Sequence, residues 1–157
     1  MKVMGVDPGT LKMGVGVVEK KLNSMEAVFY TTLSVSNKVH LHERLRRLYD
    51  GVRDLIDKHQ PDVIALEDVF FGVNVKAAIR IGEARCAVIL AASQSGISVV
   101  EYLPTKVKSS VCGAGRAAKV QIQNMVKNIL RLKEVPAPDA ADALAIAICH
   151  VHNERFG

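Results

Sequence analysis

The sequence has few cysteines and no long apolar run, and each shortage excludes a class of protein. No uninterrupted apolar segment is longer than Cys86 to Ala92, which is far shorter than the roughly 20 residues that a membrane-spanning helix needs. The three cysteines are odd in number and match neither a disulfide framework nor the spacing of a zinc site: Cys86, Cys112 and Cys149. We therefore expect no membrane span and a reducing compartment, the cytoplasm. Because Asp7 and Pro8 interrupt the first apolar stretch, we also expect no signal peptide.

Acidic residues are missing from one long stretch, Tyr102 to Lys133, although the chain as a whole carries a net charge of +5. The basic residues of this stretch are Lys106, Lys108, Arg116, Lys119, Lys127, Arg131 and Lys133. A single sign of charge over this length favours a partner rich in phosphates, with a merely solvated surface as the alternative. The loop from Gly113 to Gly115 would let a phosphate approach the backbone, but it lacks the rest of a P-loop.

The hydrophobic pattern predicts one α/β domain over residues 1–157, with a five-stranded mixed sheet and helices on both faces. The predicted strands are Lys2–Asp7, Met13–Glu19, Ala27–Val35, Asp62–Glu67 and Ile97–Tyr102. The first three have short connections and should form an antiparallel meander. The predicted helices are His40–Gln60, Val75–Ser95, Pro104–Val111, Ala117–Arg131 and Asp139–Val151. The second helix is apolar all round over Cys86 to Ala92, so it needs cover from the sheet and from another helix or subunit.

Four acids stand where the pattern predicts a folded interior. Asp7 and Glu67 end predicted strands, and Asp139 and Asp142 open an alanine-rich helix that should pack on those strands. A buried carboxylate costs several kcal/mol (roughly) unless it is neutralised, and Mg²⁺ or Mn²⁺ suits a set of carboxylate oxygens. The four are predicted to hold two cations about 4 Å apart, one activating a water and the other stabilising the leaving 3′ oxygen in phosphoryl transfer.

Each acid also has an ordinary structural interpretation. Asp7 would cap a turn, and Glu67 would leave its strand into solvent. Asp139 would be a helix N-cap with Asp142 as its companion near the positive helix end. The metal site is favoured because Asp139 and Asp142, three residues apart, share one helix face, and small neighbours let that helix lie close to the sheet. Asp68, next to Glu67, should point to the opposite face of the sheet.

Aromatic residues are also scarce, with only four Phe, three Tyr and no Trp. Phe70 and Phe71 nevertheless stand side by side just after Glu67. One of them is expected to stack on an unpaired base, which is worth roughly 1–3 kcal/mol. Burial of both in the core is the alternative. His150 and His152, two apart on a helix, face different directions and are not expected to share a metal ion.

Taken together, these segments resemble the RuvC family of bacterial Holliday junction resolvases, part of the ribonuclease H-like superfamily. The segments are GVDPGTLKMGVGVV, ALEDVFFGVN, IGEARCAVILAA, VKSSVCGAGRAAKVQIQNMV and PAPDAADALAIAICH. The resemblance covers nearly the whole chain. It implies a homodimeric Mg²⁺-dependent endonuclease that nicks two symmetric strands of a four-way DNA junction, leaving 5′-phosphate and 3′-hydroxyl ends. It also implies a role in recombination and repair beside the branch-migration proteins RuvA and RuvB.

The resemblance assigns roles residue by residue. The family's catalytic, metal-binding carboxylates fall on Asp7, Glu67, Asp139 and Asp142. Its base-stacking aromatic falls on Phe70, beside Phe71, and its DNA-contacting or catalytic lysines fall on Lys108 and Lys119. Lys106 and Arg116 are further candidates for DNA contact. The long central helix would form the dimer contact, and Asp68 stands where the family often has Gln.

Three alternatives remain beside this reading. A ribonuclease H-like nuclease of another structured nucleic acid would share the acids, but the Phe70 loop and the dimer-like helix argue against it. The presence of all four acids argues against a junction-binding module without catalysis. An actin-like ATPase would share the Asp7 turn, but it would need a second phosphate turn and an adenosine motif, and the sequence has neither.

Overall fold

The computed structural model describes residues 1–68 and 74–154. The strands of this part are β1 (Lys2–Asp7), β2 (Lys12–Lys20), β3 (Met25–Ser34), β4 (Val63–Glu67) and β5 (Ser98–Tyr102). The helices are α1 (Leu41–His59), α2 (Val75–Gln94), α3 (Pro104–Cys112), α4 (Lys119–Ile129) and α5 (Pro138–Asn153). Every predicted element is present, with ends that differ from the prediction by no more than a few residues.

The strands form one mixed sheet in the order β3-β2-β1-β4-β5. The meander is confirmed, since β1 pairs antiparallel with β2 and β2 pairs antiparallel with β3. β4 pairs parallel with both β1 and β5, as expected for strands joined by long crossover connections. The carboxyl ends of β1 and β4 therefore lie side by side at one edge of the sheet.

Helices cover both faces of the sheet, as predicted. Met4 and Val6 of β1 pack in one core cluster with α1 and α2. Val3 of β1 and Ala65 of β4 pack in the other cluster, with α3, α4 and α5. Because side chains alternate along a strand, Asp7 and Glu67 at the strand ends face the α5 side.

Two glycines let α5 lie directly on the sheet. A Cβ added at Gly5 in β1 would stand 2.0 Å from the carbonyl oxygen of Ala143, and one at Gly14 in β2 would stand 1.9 Å from that of Asp139. Real Cβ atoms do not come so close, so only glycine fits at these crossings. The contact at Gly14 holds the first turn of α5 beside the end of β1, because Gly14 is the register partner of Asp7.

The inner side of α2 is covered and its outer side is open. Ala84, Val88, Ala91 and Ala92 pack into the core with α1 and the sheet. On the outer side, Leu90 keeps 51% of its surface exposed. An apolar groove of about 410 Å³ runs between α1 and α2 and is lined by His42, Leu45, Arg46, Tyr49, Glu83, Cys86, Ala87 and Leu90. Within residues 1–68 and 74–154, no helix has the length and apolar character to span a membrane.

Candidate active site

The acids predicted from the sequence meet at the carboxyl edge of β1 and β4. A cavity of about 240 Å³ opens there between the strand ends and helices α3, α4 and α5. It is lined by Asp7, Glu67, Pro104, Val107, Lys108, Lys119, Ile122, Asp142 and Ala145. Three carboxylates and two ammonium groups from five different elements therefore face one space, which is the arrangement that the sequence predicts for Asp7, Glu67 and Asp142.

Asp7 is the carboxylate in the least favourable environment for negative charge. Burial raises the pKa of Asp7 from an ordinary 3.8 to about 7, and the negative charges of Glu67, Asp142 and Asp139 add to this rise. The ammonium group of Lys119 opposes it. The other three predicted acids therefore lie close enough to Asp7 for their charges to interact with it, as the predicted metal site requires.

The pKa values of the other two cavity carboxylates, Glu67 and Asp142, are also raised. Burial raises the pKa of Glu67, with the charge of Asp142 adding to the rise, while Lys108, Lys119 and Arg85 oppose it. Burial also raises the pKa of Asp142, with Lys119 and Lys108 opposing. Both lysines therefore lie within electrostatic reach of the same acids, and the site combines acidic and basic groups at close range.

Asp139 belongs to the site without lining the cavity itself. Its charge raises the pKa values of Asp7 and Asp142, so it stands nearby at the start of α5. The alternative in which Asp139 is an N-cap is wrong, because α5 begins at Pro138 and its N-cap is Ala137. Asp142 consequently lies one turn further along α5, and the helix dipole does not explain its position.

The chemistry of these donors fits a hard divalent cation. Carboxylate oxygens are the ligands that Mg²⁺ and Mn²⁺ prefer. A bound cation would offset the cost of burying the Asp7 charge and the repulsion from its neighbours, the two effects that raise the pKa of Asp7. Among residues 1–68 and 74–154, however, no three His, Cys, Asp or Glu side chains are grouped closely enough to coordinate one ion together.

The basic residues of the predicted DNA-binding set divide into two groups. Lys108 from α3 and Lys119 from the first turn of α4 line the cavity. Lys106 and Arg116 are exposed and do not line it. Phe70 and Phe71, the predicted base-stacking residues, lie outside the described residues.

The sequence reasoning missed Arg85, a buried arginine behind the site. From α2 its guanidinium donates to the main-chain carbonyl of Glu67 and forms an ion pair with Glu101 of β5. It also lies 3.7 Å from Asp68, so Asp68 does face away from the cavity, as predicted. The helical period gave a signal, since Arg85 shares the core-facing side with Val88 and should be buried.

The two late histidines have separate partners, as expected. His150 is buried, and its Nδ1 lies 2.9 Å from the hydroxyl of Tyr102. His152 places Nδ1 3.2 Å from the hydroxyl of Ser110. They therefore link α5 to two different neighbours, His150 to β5 and His152 to α3.

Comparison with known proteins identifies relatives along nearly the whole chain. A family model described as crossover junction endodeoxyribonuclease RuvC matches residues 3–150. The RuvC protein of Caldanaerobacter subterraneus subsp. tengcongensis is 46% identical over 100% of this chain and 98% of its own length. The RuvC protein of Chloroflexus aggregans is 48% identical over 100% of this chain and 99% of its own length.

Solved structures give the same result. Thermus thermophilus RuvC, in complex with a Holliday junction substrate, superposes with a TM-score of 0.94 at 36% sequence identity. The match spans 100% of this chain and 96% of the Thermus chain. The yeast mitochondrial Holliday junction resolvase Ydc2 superposes with a TM-score of 0.64 at 13% identity, over 99% of this chain and 86% of its own, which shows a shared fold alone. The ribonuclease H-like α/β fold predicted from the sequence is confirmed.

Proposed function

The chain belongs to the RuvC family of crossover junction endodeoxyribonucleases, and we propose that it resolves four-way DNA junctions with its acidic cavity. The reaction hydrolyses one phosphodiester bond in each of two symmetric strands and leaves 5′-phosphate and 3′-hydroxyl ends. The observation that carries the proposal is the meeting of Asp7, Glu67 and Asp142 in one cavity with two lysines. Family membership gives the substrate class, and we propose that the strand is cut at this cavity.

The carboxylates of this cavity form the proposed cation site. Asp7, Glu67 and Asp142, with Asp139 at the entrance to α5, would hold Mg²⁺ (with Mn²⁺ as a substitute), two ions per subunit. Bound there, the cations would activate a water for attack and stabilise the leaving oxygen. The burial and the mutual repulsion that raise the pKa of Asp7 support this assignment, because a bound cation would offset both effects.

Lys119 and Lys108 supply the positive charge that a DNA strand needs at this site. Both line the cavity beside the acids, and we propose that they bind the phosphates that flank the bond to be cut. The charge of Lys119 acts on Asp7, Glu67 and Asp142, whereas that of Lys108 acts on Glu67 and Asp142. We propose more peripheral phosphate contacts for Lys106 and Arg116, which are exposed on the same basic stretch. Base stacking is proposed for Phe70, with Phe71 beside it.

Symmetric cutting requires two active sites, and α2 offers a surface for pairing subunits. The groove between α1 and α2 is apolar, and Leu90 at its rim is half exposed. We propose that two copies, each with one nuclease domain, meet along α2, so that a partner covers the outer side of the helix. RuvA and RuvB are the proposed partners at the junction.

The proposed function is tested with a synthetic four-way junction beside a linear duplex of the same sequence. Wild-type protein with Mg²⁺ should nick two opposing strands of the junction and leave the duplex intact, and EDTA should abolish nicking. Asp7→Asn should lower cleavage by at least about 10³-fold, because a neutral amide is a poor cation ligand, while junction binding persists. Retained cleavage by Asp7→Asn in Mg²⁺ would defeat the assignment of the cavity.

The same experiment separates the alternatives. Preferential cutting of a structured RNA would identify a ribonuclease H-like nuclease with another substrate. Junction binding by wild-type protein, without nicking at any Mg²⁺ or Mn²⁺ concentration, would identify a binding module without catalysis.

A further inference from the structure

Arg85 is a charged residue with no assigned role, and it is one of the most buried charged groups in the described part of the chain. Only 8% of its surface is exposed, although it lies on a helix whose inner side is otherwise apolar. Taking a guanidinium out of water is costly unless it meets several acceptors. Its acceptors therefore indicate what the burial accomplishes.

Those acceptors all belong to the end of β4 and the strand beside it. One guanidinium nitrogen donates to the main-chain carbonyl of Glu67, and the other contacts the carboxylate of Glu101 and lies 3.7 Å from Asp68. The ladder of the sheet continues here, because the amide of Asp68 donates to the carbonyl of Tyr102 at 2.9 Å. Arg85 thus fixes the peptide plane at the last residue of β4 from the face opposite the cavity.

We propose that Arg85 is a positioning residue for Glu67, with Glu101 as its anchor, and that it sets the cation affinity of the active site. The carbonyl that accepts from Arg85 belongs to the same residue as the cavity carboxylate, so the hydrogen bond limits rotation of the Glu67 backbone. A carboxylate ligand on a fixed backbone meets a cation at lower entropic cost than one on a free strand end. Groups that orient metal ligands in this way typically change metal affinity or activity by about 10–100-fold when removed.

The test measures cation binding directly as well as cleavage. In Arg85→Gln, the dissociation constant for Mn²⁺, followed by electron paramagnetic resonance on the free protein, should rise by about tenfold. The Mg²⁺ concentration for half-maximal cleavage should rise in parallel. The affinity for the four-way junction in EDTA should stay within about twofold, because Arg85 does not line the cavity that receives the strand.

Arg80→Gln is the matched control. It removes an arginine from the same helix together with an ion pair to Glu83 at 2.8 Å, but Arg80 keeps 42% of its side chain exposed. Its Mn²⁺ dissociation constant should equal that of wild type. Arg85→Lys keeps the charge without the two-pronged donor and should fall between wild type and Arg85→Gln.

Each outcome either supports or overturns the proposed role of Arg85. An unchanged Mn²⁺ dissociation constant in folded Arg85→Gln, even with a lower melting temperature, would reduce Arg85 to a structural tie between α2 and the sheet. If Arg85→Gln does not fold, Arg85→Lys and Glu101→Gln carry the same decision with the same measurement. The inference rests on the proposed function, and the two fail differently. Wild-type protein without Mg²⁺-dependent cleavage would overturn the function, whereas wild-type Mn²⁺ affinity in the variants would overturn only the role of Arg85.

Discussion

Asp7 links the fold and the chemistry at the scale of one residue. It ends the central strand, where burial and three neighbouring acids raise its pKa to about 7. The unfolded chain releases this proton near the ordinary pKa of 3.8, so between these two values the folded protein binds a proton that the unfolded chain does not. Stability from this group is therefore greatest at low pH and falls as pH rises toward 7.

The first prediction follows from that sign. In EDTA, the free energy of unfolding should fall between pH 5 and pH 8 by more in wild type than in Asp7→Asn. At roughly 1.4 kcal/mol per pKa unit, the difference should be on the order of 2–4 kcal/mol. Denaturant unfolding at the two pH values measures it, with Asp54→Asn, an exposed acid on α1, as the control. Equal losses in wild type and Asp7→Asn would contradict the buried environment of Asp7.

The second prediction concerns Lys119, which begins α4 and lines the cavity. Lys119→Ala removes the positive charge that opposes the repulsion among Asp7, Glu67 and Asp142, and it removes a proposed phosphate contact. Cleavage at saturating junction should fall by about 10²-fold, and the slope of log affinity against log salt should shrink by about one.

Lys127→Ala is the control for Lys119, because Lys127 lies in the last turn of the same helix and does not line the cavity. Its cleavage rate should match that of wild type. A Lys119→Ala variant with unchanged rate and unchanged salt slope would remove Lys119 from the site.

The residue scale also shows what the sequence reveals and what it hides. Asp7 and Glu67 were predictable because each ends an apolar strand, where a charged side chain is unfavourable unless it has a partner or a function. Arg85 was not found, because its partners Glu101 and the Glu67 carbonyl are contributed by two strands. No local pattern in the sequence indicates which main-chain carbonyl a long side chain will reach.

At the scale of elements, the site depends on how closely α5 approaches the sheet. The alanines of α5 predicted a close approach, and the glycines of β1 and β2 make it possible. The sequence did not show which glycine meets which turn of the helix, because that depends on the crossing of α5 over the sheet. The side chains of Asp139 and Asp142 owe their positions at the strand ends to this contact.

The third prediction tests that contact with Gly14→Ala. The added methyl would stand 1.9 Å from the carbonyl oxygen of Asp139, so the first turn of α5 must move. The variant should lose about 1–3 kcal/mol of stability, and cleavage should fall by about 10²-fold, because a displacement near 1 Å misaligns the acids. Chemical denaturation and the junction assay measure the two effects.

Gly82→Ala provides the matched control in α2. A Cβ at Gly82 meets nothing within 4 Å, and alanine suits a helix interior better than glycine. This variant should gain about 0.5–1 kcal/mol of stability. Because Gly82 lies on the same side of α2 as Ile89, where a second copy is proposed to pack, only its stability serves as the control. Full activity in Gly14→Ala would show that the acids tolerate movement of α5.

At the scale of the whole molecule, charge and apolar surface point to different partners. The net charge of +5 coexists with a cluster of four acids, so the remainder of the chain is more basic than the total suggests. That excess of positive charge suits a polyanion. The outer side of α2, by contrast, is apolar. Ile89 and Leu90 are exposed there, next to the groove between α1 and α2. The sequence predicted that this helix needs a second cover, and the described part of this chain leaves that outer side open.

The fourth prediction is that Leu90→Glu separates the proposed dimer. A carboxylate at this position would be buried without a partner if two α2 helices pack together, and such a burial costs several kcal/mol (roughly). Sedimentation velocity should show a dimer for wild type and a monomer for Leu90→Glu at the same concentration. Leu22→Glu, at a turn where Leu22 is 98% exposed, should remain dimeric. Because each subunit supplies one cavity, Leu90→Glu should also lose paired nicking of opposing strands, and a dimer that survives the substitution would place the subunit contact elsewhere.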